Sequence, residues 1–301
     1  MTAPVRRITS PRLPWRLLAV VLAALALAST AQAEGPPARA GAGSRVTLAL
    51  KETPFQVLRV DEEPARGERL LCDRECTFVQ GAMSLSDPSA LVLDYARSAL
   101  LSLAFLGRPP QRVLFLGLGA GSMPRFVSER FPAAEIDVVE IDPEVPTLAE
   151  RYFRFQAGPR LRVFVGDAAD FVRRRHVPYD LVVLDACFGP EPPPQLATPG
   201  FFRALRGLVV PGGVVVANLA SPVLAPSVNT FLSTMRGEFP SVEAFLVPNA
   251  ANLVAIAGGA APDAKELAAR AAQITSERRL GFDLERLARE SPRWPVPPVG
   301  R

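Results

Sequence analysis

Apolar residues in this chain fall into short runs separated by stretches of helical spacing, and the alternation is most regular after residue 112. Val113, Leu114, Phe115 and Leu116 form a run of the kind that marks a parallel strand buried on both faces. Gly117, Gly119 and Gly121 follow at once. Ser122 then reads as the cap of a helix carrying Arg125, Phe126 and Arg130 on mixed faces. A second strand is expected over 136–141, and a helix from Pro143 to about residue 155. A third strand is expected over 161–165, a helix through residue 174, and a fourth strand over 181–184. Thr198-Pro199 opens another helix, 213–219 is a fifth strand, 227–238 is helical, and 242–246 with 253–257 reads as a closing hairpin. Residues 263–290 read as a helical tail with charged faces.

Upstream the period changes. Short strand-like pieces at 46–50, 56–60, 69–71 and 77–80 are punctuated by turn residues, which predicts a small antiparallel sheet acting as a lid or dimerisation element. Asp87-Pro88 reads as the start of a helix running to residue 106. The organisation expected is therefore a leader over 1–33, a flexible linker over 34–44, the small β element over 45–86, an α/β domain over 87–260 and a helical tail over 261–301. The fold class expected is α/β, a doubly wound, mainly parallel seven-stranded sheet.

Ligands of such sheets sit beyond the carboxyl ends of the strands. Four successive strands here end in glycine or acid: Gly117 to Gly121, Glu140 with Asp142, Asp167 with Ala168, and Asp185. A glycine turn, a helix N-terminus and a carboxylate about 20 residues on suit a nucleoside, whose ribose hydroxyls the acid accepts. Each acid also has a plainer reading: Asp142 precedes Pro143 and Asp167 precedes a helix, so both suit capping.

Composition narrows the chemistry. The formal charge of +4 comes from Arg6, Arg7, Arg12 and Arg16 in the leader; without them basic and acidic residues balance, and no basic block suggests nucleic acid. Those arginines precede an apolar run at 17–28 and the small-residue site Ala31-Gln32-Ala33. The expectation is export by a cleaved signal peptide; the alternative is an uncleaved anchor. Cys72 and Cys76 either form a small-loop disulfide or remain unpaired, and Cys187 has no evident partner. The single histidine, His176, lies in an arginine-rich run and reads as an exposed helix end, so a multi-histidine metal site is excluded and no metal is expected.

The pieces VLFLGLGAGSMPR, VVEIDPEV, VGDAADFV, YDLVVLDA and PGFFRALRGLVVPGGVVVANL together resemble the S-adenosylmethionine-dependent methyltransferase fold, a Rossmann-like fold, and within it the spermidine synthase family. The resemblance extends over about residues 77–258. It implies a transferase using decarboxylated S-adenosylmethionine or S-adenosylmethionine, with a small-molecule acceptor such as an amine. It implies Glu140 as the ribose acceptor and Asp167, beside Ala168, as the adenine acceptor. Gly117, Gly119 and Gly121 would line the thioether part. Asp185 stands at the catalytic carboxylate, and Gln80 and Tyr95 resemble groove residues, although a core-facing tyrosine is an equal reading of Tyr95.

Two departures from the family pattern matter. Ala120 occupies the turn position where the family carries an aspartate, and Phe188 occupies that of the second acid after the fourth strand. Polyamines are multiply cationic, and a buried ammonium without a carboxylate is unfavourable. Ala120 also removes a charge that would repel the carboxylate of the full donor. A second reading is a binding protein of the same fold without turnover, consistent with the missing acids and with an export signal that leads away from the donor. A nicotinamide-dependent oxidoreductase is a third reading, disfavoured because the glycine spacing differs from G-x-G-x-x-G.

Overall fold

The computed structural model describes residues 45–186 and 189–299. The leader, the linker, Cys187 and Phe188 lie outside the described residues. The β element is a four-stranded antiparallel sheet in chain order, β1 (Val46–Glu52), β2 (Val57–Glu63), β3 (Glu68–Cys72) and β4 (Val79–Ser84). Cys72 and Cys76 are disulfide-bonded at its end.

The main sheet has eight strands rather than the seven expected. β5 (Arg112–Leu116), β6 (Glu135–Glu140), β7 (Leu161–Val165), β8 (Tyr179–Leu184) and β9 (Val209–Ala220) are mutually parallel, and β10 (Ser241–Leu246) and β11 (Asn252–Gly258) are the antiparallel hairpin. The extra strand, β12 (Arg293–Trp294), pairs with β10 at the edge. Its two residues follow the helical tail in a proline-rich stretch too short to show any period. The order is β12-β10-β11-β9-β8-β5-β6-β7. The chain leaves β5 toward β6 and β7, then crosses back to β8 on the other side. The turn after β5 is therefore the topological switch point, where open α/β sheets hold ligands.

Strand period 2 explains the two cores. Val113 and Phe115 of β5 face one hydrophobic cluster, with Phe126, Leu101 and Leu284, while Leu114 and Leu116 face the other, with Phe202, Phe231 and Leu205. One face is covered by α1 (Asp94–Ala99), α2 (Leu101–Leu106) and α3 (Ser122–Arg130), with α8 (Ala264–Arg278) and α9 (Leu284–Glu290) of the tail outside them. The other is covered by α5 (Ala168–Arg174), α6 (Pro199–Gly207) and α7 (Ser227–Glu238); α4 (Glu144–Tyr152) joins β6 to β7.

The expected helix start at Asp87 is corrected. Asp87 spends its Oδ1 on the Ser89 amide and hydroxyl, 3.1 and 2.7 Å, forming a local turn, and the helix begins only at Asp94. Ser122 likewise is not a cap. Gly121 is the N-cap, and the Ser122 hydroxyl donates to the Ala82 carbonyl at 2.8 Å, tying α3 to β4.

Candidate active site

The turn after β5 is shaped by its own chain. Gly117 (φ +106°) lies so close to the end of β8 that a Cβ there would sit 2.1 Å from the Asp185 carbonyl oxygen. A Cβ on Gly119 (φ +54°) would sit 2.7 Å from the Gln80 carbonyl of β4. A Cβ on Gly121 would meet the Phe155 ring. The glycines thus bring β5, β8 and β4 together at one point, a role beyond the close ligand approach expected of them.

That convergence forms a small cavity open to solvent. Gln80, Tyr95, Gly117, Ala120 and Asp185 all line it. Asp185 follows β8, and its amide donates to the Leu116 carbonyl at 2.9 Å, which fixes its backbone against β5. Asn218 Nδ2 donates to Asp185 Oδ1 at 2.8 Å, and the Tyr95 hydroxyl also hydrogen-bonds the carboxylate. Asn252 in turn donates to Asn218 Oδ1 at 3.0 Å, which holds the Asn218 amide in the orientation that presents its NH2. Both partners of Asp185 are neutral. Desolvation outweighs them and pushes its carboxyl pKa up to about 6, where a carboxylate accepts a proton near physiological pH. Tyr95 is therefore a cavity residue, half-buried and not simply core. Gln80 donates to Gln56 Oε1 at 2.6 Å.

The other expected acids stand apart from this cavity. Glu140 ends β6, 8 % exposed, with Oε2 accepting from the Leu118 amide at 2.9 Å and Oε1 from the Asp142 amide at 3.0 Å. It braces the glycine turn, and burial pushes its pKa up. Asp142 is fully buried; Oδ1 accepts from the Glu144 amide at 3.0 Å, at the start of α4, and Oδ2 from the Thr53 hydroxyl at 2.7 Å. Asp167 caps α5 by accepting from the Asp170 amide at 2.9 Å, with Ala168 as the first residue of that helix. The capping reading thus holds for Asp167, whose carboxylate keeps acceptor sites that capping does not occupy. Asp142 is not the cap: Pro143 is the N-cap of α4, and the Asp142 bond to the Glu144 amide is a local turn. His176 is exposed and lies outside the cavity lining.

Sequence reasoning missed Asn218 and Thr53. Asn218 did carry a signal, as a lone amide inside the apolar run of the fifth strand. Thr53 carried none, since its partner is 89 residues away.

The Spermine/spermidine synthase domain model matches residues 96–263. A polyamine aminopropyltransferase of Vibrio vulnificus (strain CMCP6) is 41% identical over 134 residues, covering 44% of this chain and 44% of that protein. The eEF1A lysine and N-terminal methyltransferase of Homo sapiens is 29% identical over 172 residues, covering 51% of this chain and 24% of that protein. The chain therefore spans less than half the length of either relative. A probable spermidine synthase from Corynebacterium glutamicum ATCC 13032 superposes with a TM-score of 0.63 at 21% identity, over 74% of this chain and 86% of that one, a likeness of fold.

Proposed function

The chain belongs to the spermine/spermidine synthase domain family, and on that premise we propose that it is a transferase moving a group from an S-adenosylmethionine-type sulfonium to an amine. The observation that carries the reading is Asp185, a desolvated carboxylate held by Tyr95 and Asn218 in the cavity that the glycine turn borders. When bound, the donor supplies an electrophilic carbon next to positive sulfur. The amine nitrogen forms a bond to that carbon, the carbon–sulfur bond breaks with its electron pair going to sulfur, and the amine proton passes to Asp185. Glu140 and Asp167 would accept from ribose and adenine with the acceptor sites that bracing and capping leave over. Orientation and exclusion of water are the chain's main contributions.

The donor proposed is undecarboxylated S-adenosylmethionine, taken about as readily as the decarboxylated form. Ala120 is buried, and Gly81 approaches it so closely that a Cβ on Gly81 would lie 2.5 Å from the Ala120 Cβ. That wall holds no carboxylate to pair with an aminopropyl ammonium or to repel the carboxylate of the full donor. With the full donor the group moved is methyl. A kinetic test is the Asp185→Asn variant. Turnover should fall at least about a hundredfold, in line with loss of a general base, while S-adenosylhomocysteine binding changes little. Undiminished turnover would remove Asp185 from the reaction. If no amine or peptide acceptor is turned over by the parent protein while the nucleoside still binds, the non-catalytic reading replaces this one.

Export by the N-terminal segment remains part of the proposal. The arginine-led apolar run and the Cys72–Cys76 disulfide support it, because disulfides persist in oxidising compartments. A phosphatase reporter active only outside the cytoplasm, fused behind residue 45, should give signal; a silent fusion with normal expression contradicts export.

A further inference from the structure

The cavity's chemistry is asymmetric. Its walls are mainly apolar, including Leu91, Leu93, Ala96, Phe115 and Met123, and Asp185 is the one ionisable acid among the described residues lining it. Among the described residues, no lysine, arginine or histidine lines it either. The other polar side chains are engaged: Gln80 with Gln56, Ser122 with the Ala82 carbonyl, and Tyr95 with Asp185. Residues 186–190 contain no acid in sequence, and Glu191 accepts from the Ser227 hydroxyl. Asp185 is thus a desolvated negative charge whose partners are neutral. It is suited to one cation, and the apolar wall is suited to the hydrocarbon that carries that cation.

We propose that the acceptor is an amine with a single positive charge on an apolar stem, not a diamine or polyamine. One ammonium pairs with Asp185, and the alkyl stem lies against Val92 and Leu93, apolar lining residues that keep open surface. A second ammonium on the same stem would meet hydrocarbon where it needs a carboxylate, and an unpaired buried charge is strongly disfavoured. A free alkylamine and a lysine side chain share this chemistry. The inference rests on the transferase reading above, and it narrows the acceptor class at the same site.

The test is calorimetry on the full chain at pH 8, first with S-adenosylhomocysteine alone. Three amines are then titrated into the saturated complex: n-pentylamine, 1,5-diaminopentane and Nα-acetyl-lysine methylamide. Pentylamine should bind at least about tenfold tighter than the diamine of equal length, and Asp185→Asn should abolish the heat. A lysine derivative binding as well as pentylamine assigns the stem to a protein side chain; one binding at least tenfold more weakly assigns it to a free amine. Either result supports the monoamine class. A diamine that binds as tightly as pentylamine, or the absence of binding by all three, overturns the acceptor proposal while the donor site stands. Failure of S-adenosylhomocysteine to bind overturns the donor site and, with it, this inference.

Discussion

Asp185 places function and stability in opposition. In the folded chain its carboxyl pKa is about 6 against an ordinary 3.8, so the folded state holds the proton more tightly than the unfolded state. Ionisation therefore costs stability, beginning as pH rises past 4 and complete above about 6. At pH 8 the penalty is at most about 3 kcal/mol, from roughly two pKa units at 1.36 kcal/mol each. Asp185→Asn keeps an acceptor for Asn218 and removes the charge. The expected outcome is a higher melting temperature than the parent at pH 8, with the difference vanishing near pH 4, measured by scanning calorimetry. A variant less stable than the parent at pH 8 would contradict the desolvation argument. Catalysis runs the other way: the parent's turnover should fall as pH drops through about 6, because the base becomes protonated. Gly117 is the other decisive position. In Gly117→Ala the methyl group would press on the Asp185 carbonyl at a φ that side chains rarely adopt. The expected outcome is a loss of several kcal/mol in denaturant unfolding, on the order of an overpacked core substitution.

At the scale of elements, the β element joins the first core through Leu58, Val60, Leu71 and Met83, and polar contacts add to that packing on the donor side of the site. The turn between β1 and β2 places the Thr53 hydroxyl on Asp142, and Lys51 lies 3.4 Å from Glu144 at the start of α4. Thr53→Val should leave the overall fold intact, accelerate amide exchange in 46–52, and weaken S-adenosylhomocysteine binding severalfold, because the loosened Asp142 no longer holds α4 in place. Unchanged exchange would show that the latch contributes nothing. The disulfide closes a loop of only a few residues, so its chain-entropy contribution is about 2 kcal/mol. Cys72→Ser combined with Cys76→Ser should lower unfolding free energy by about that amount, and a reducing agent should do the same to the parent and nothing to the variant. The strands were legible because buried parallel strands write continuous apolar runs. The helix start at Asp87 was misread because an aspartate before proline satisfies a turn as well as a helix, and nothing local distinguishes them. β12 was unreadable, being two residues that exist as a strand only because β10 offers an edge.

The whole molecule puts its chemistry where chain direction reverses. β5 lies between strands reached in opposite directions, and the turn after it touches the ends of β4 and β8 at once. Sequence order alone gathered Gly117, Glu140, Asp167 and Asp185 at one end of the sheet. It did not divide them: the cavity takes the glycine turn, Asp185, Gln80 and Tyr95, while Glu140 lies buried behind the turn and braces it, and Asp142 is buried between α4 and Thr53. That division depends on side-chain geometry at long sequence separation, as does the pairing of Asn218 with Asp185 across 33 positions. The central claim is that this turn receives an adenosyl sulfonium donor without demanding its decarboxylation. The most direct measurement is titration calorimetry of the full chain with S-adenosylmethionine and, separately, its decarboxylated form. The expected result is binding of both, with the full donor no more than about threefold weaker. Binding of neither, or a preference of thirtyfold or more for the decarboxylated form, would contradict it.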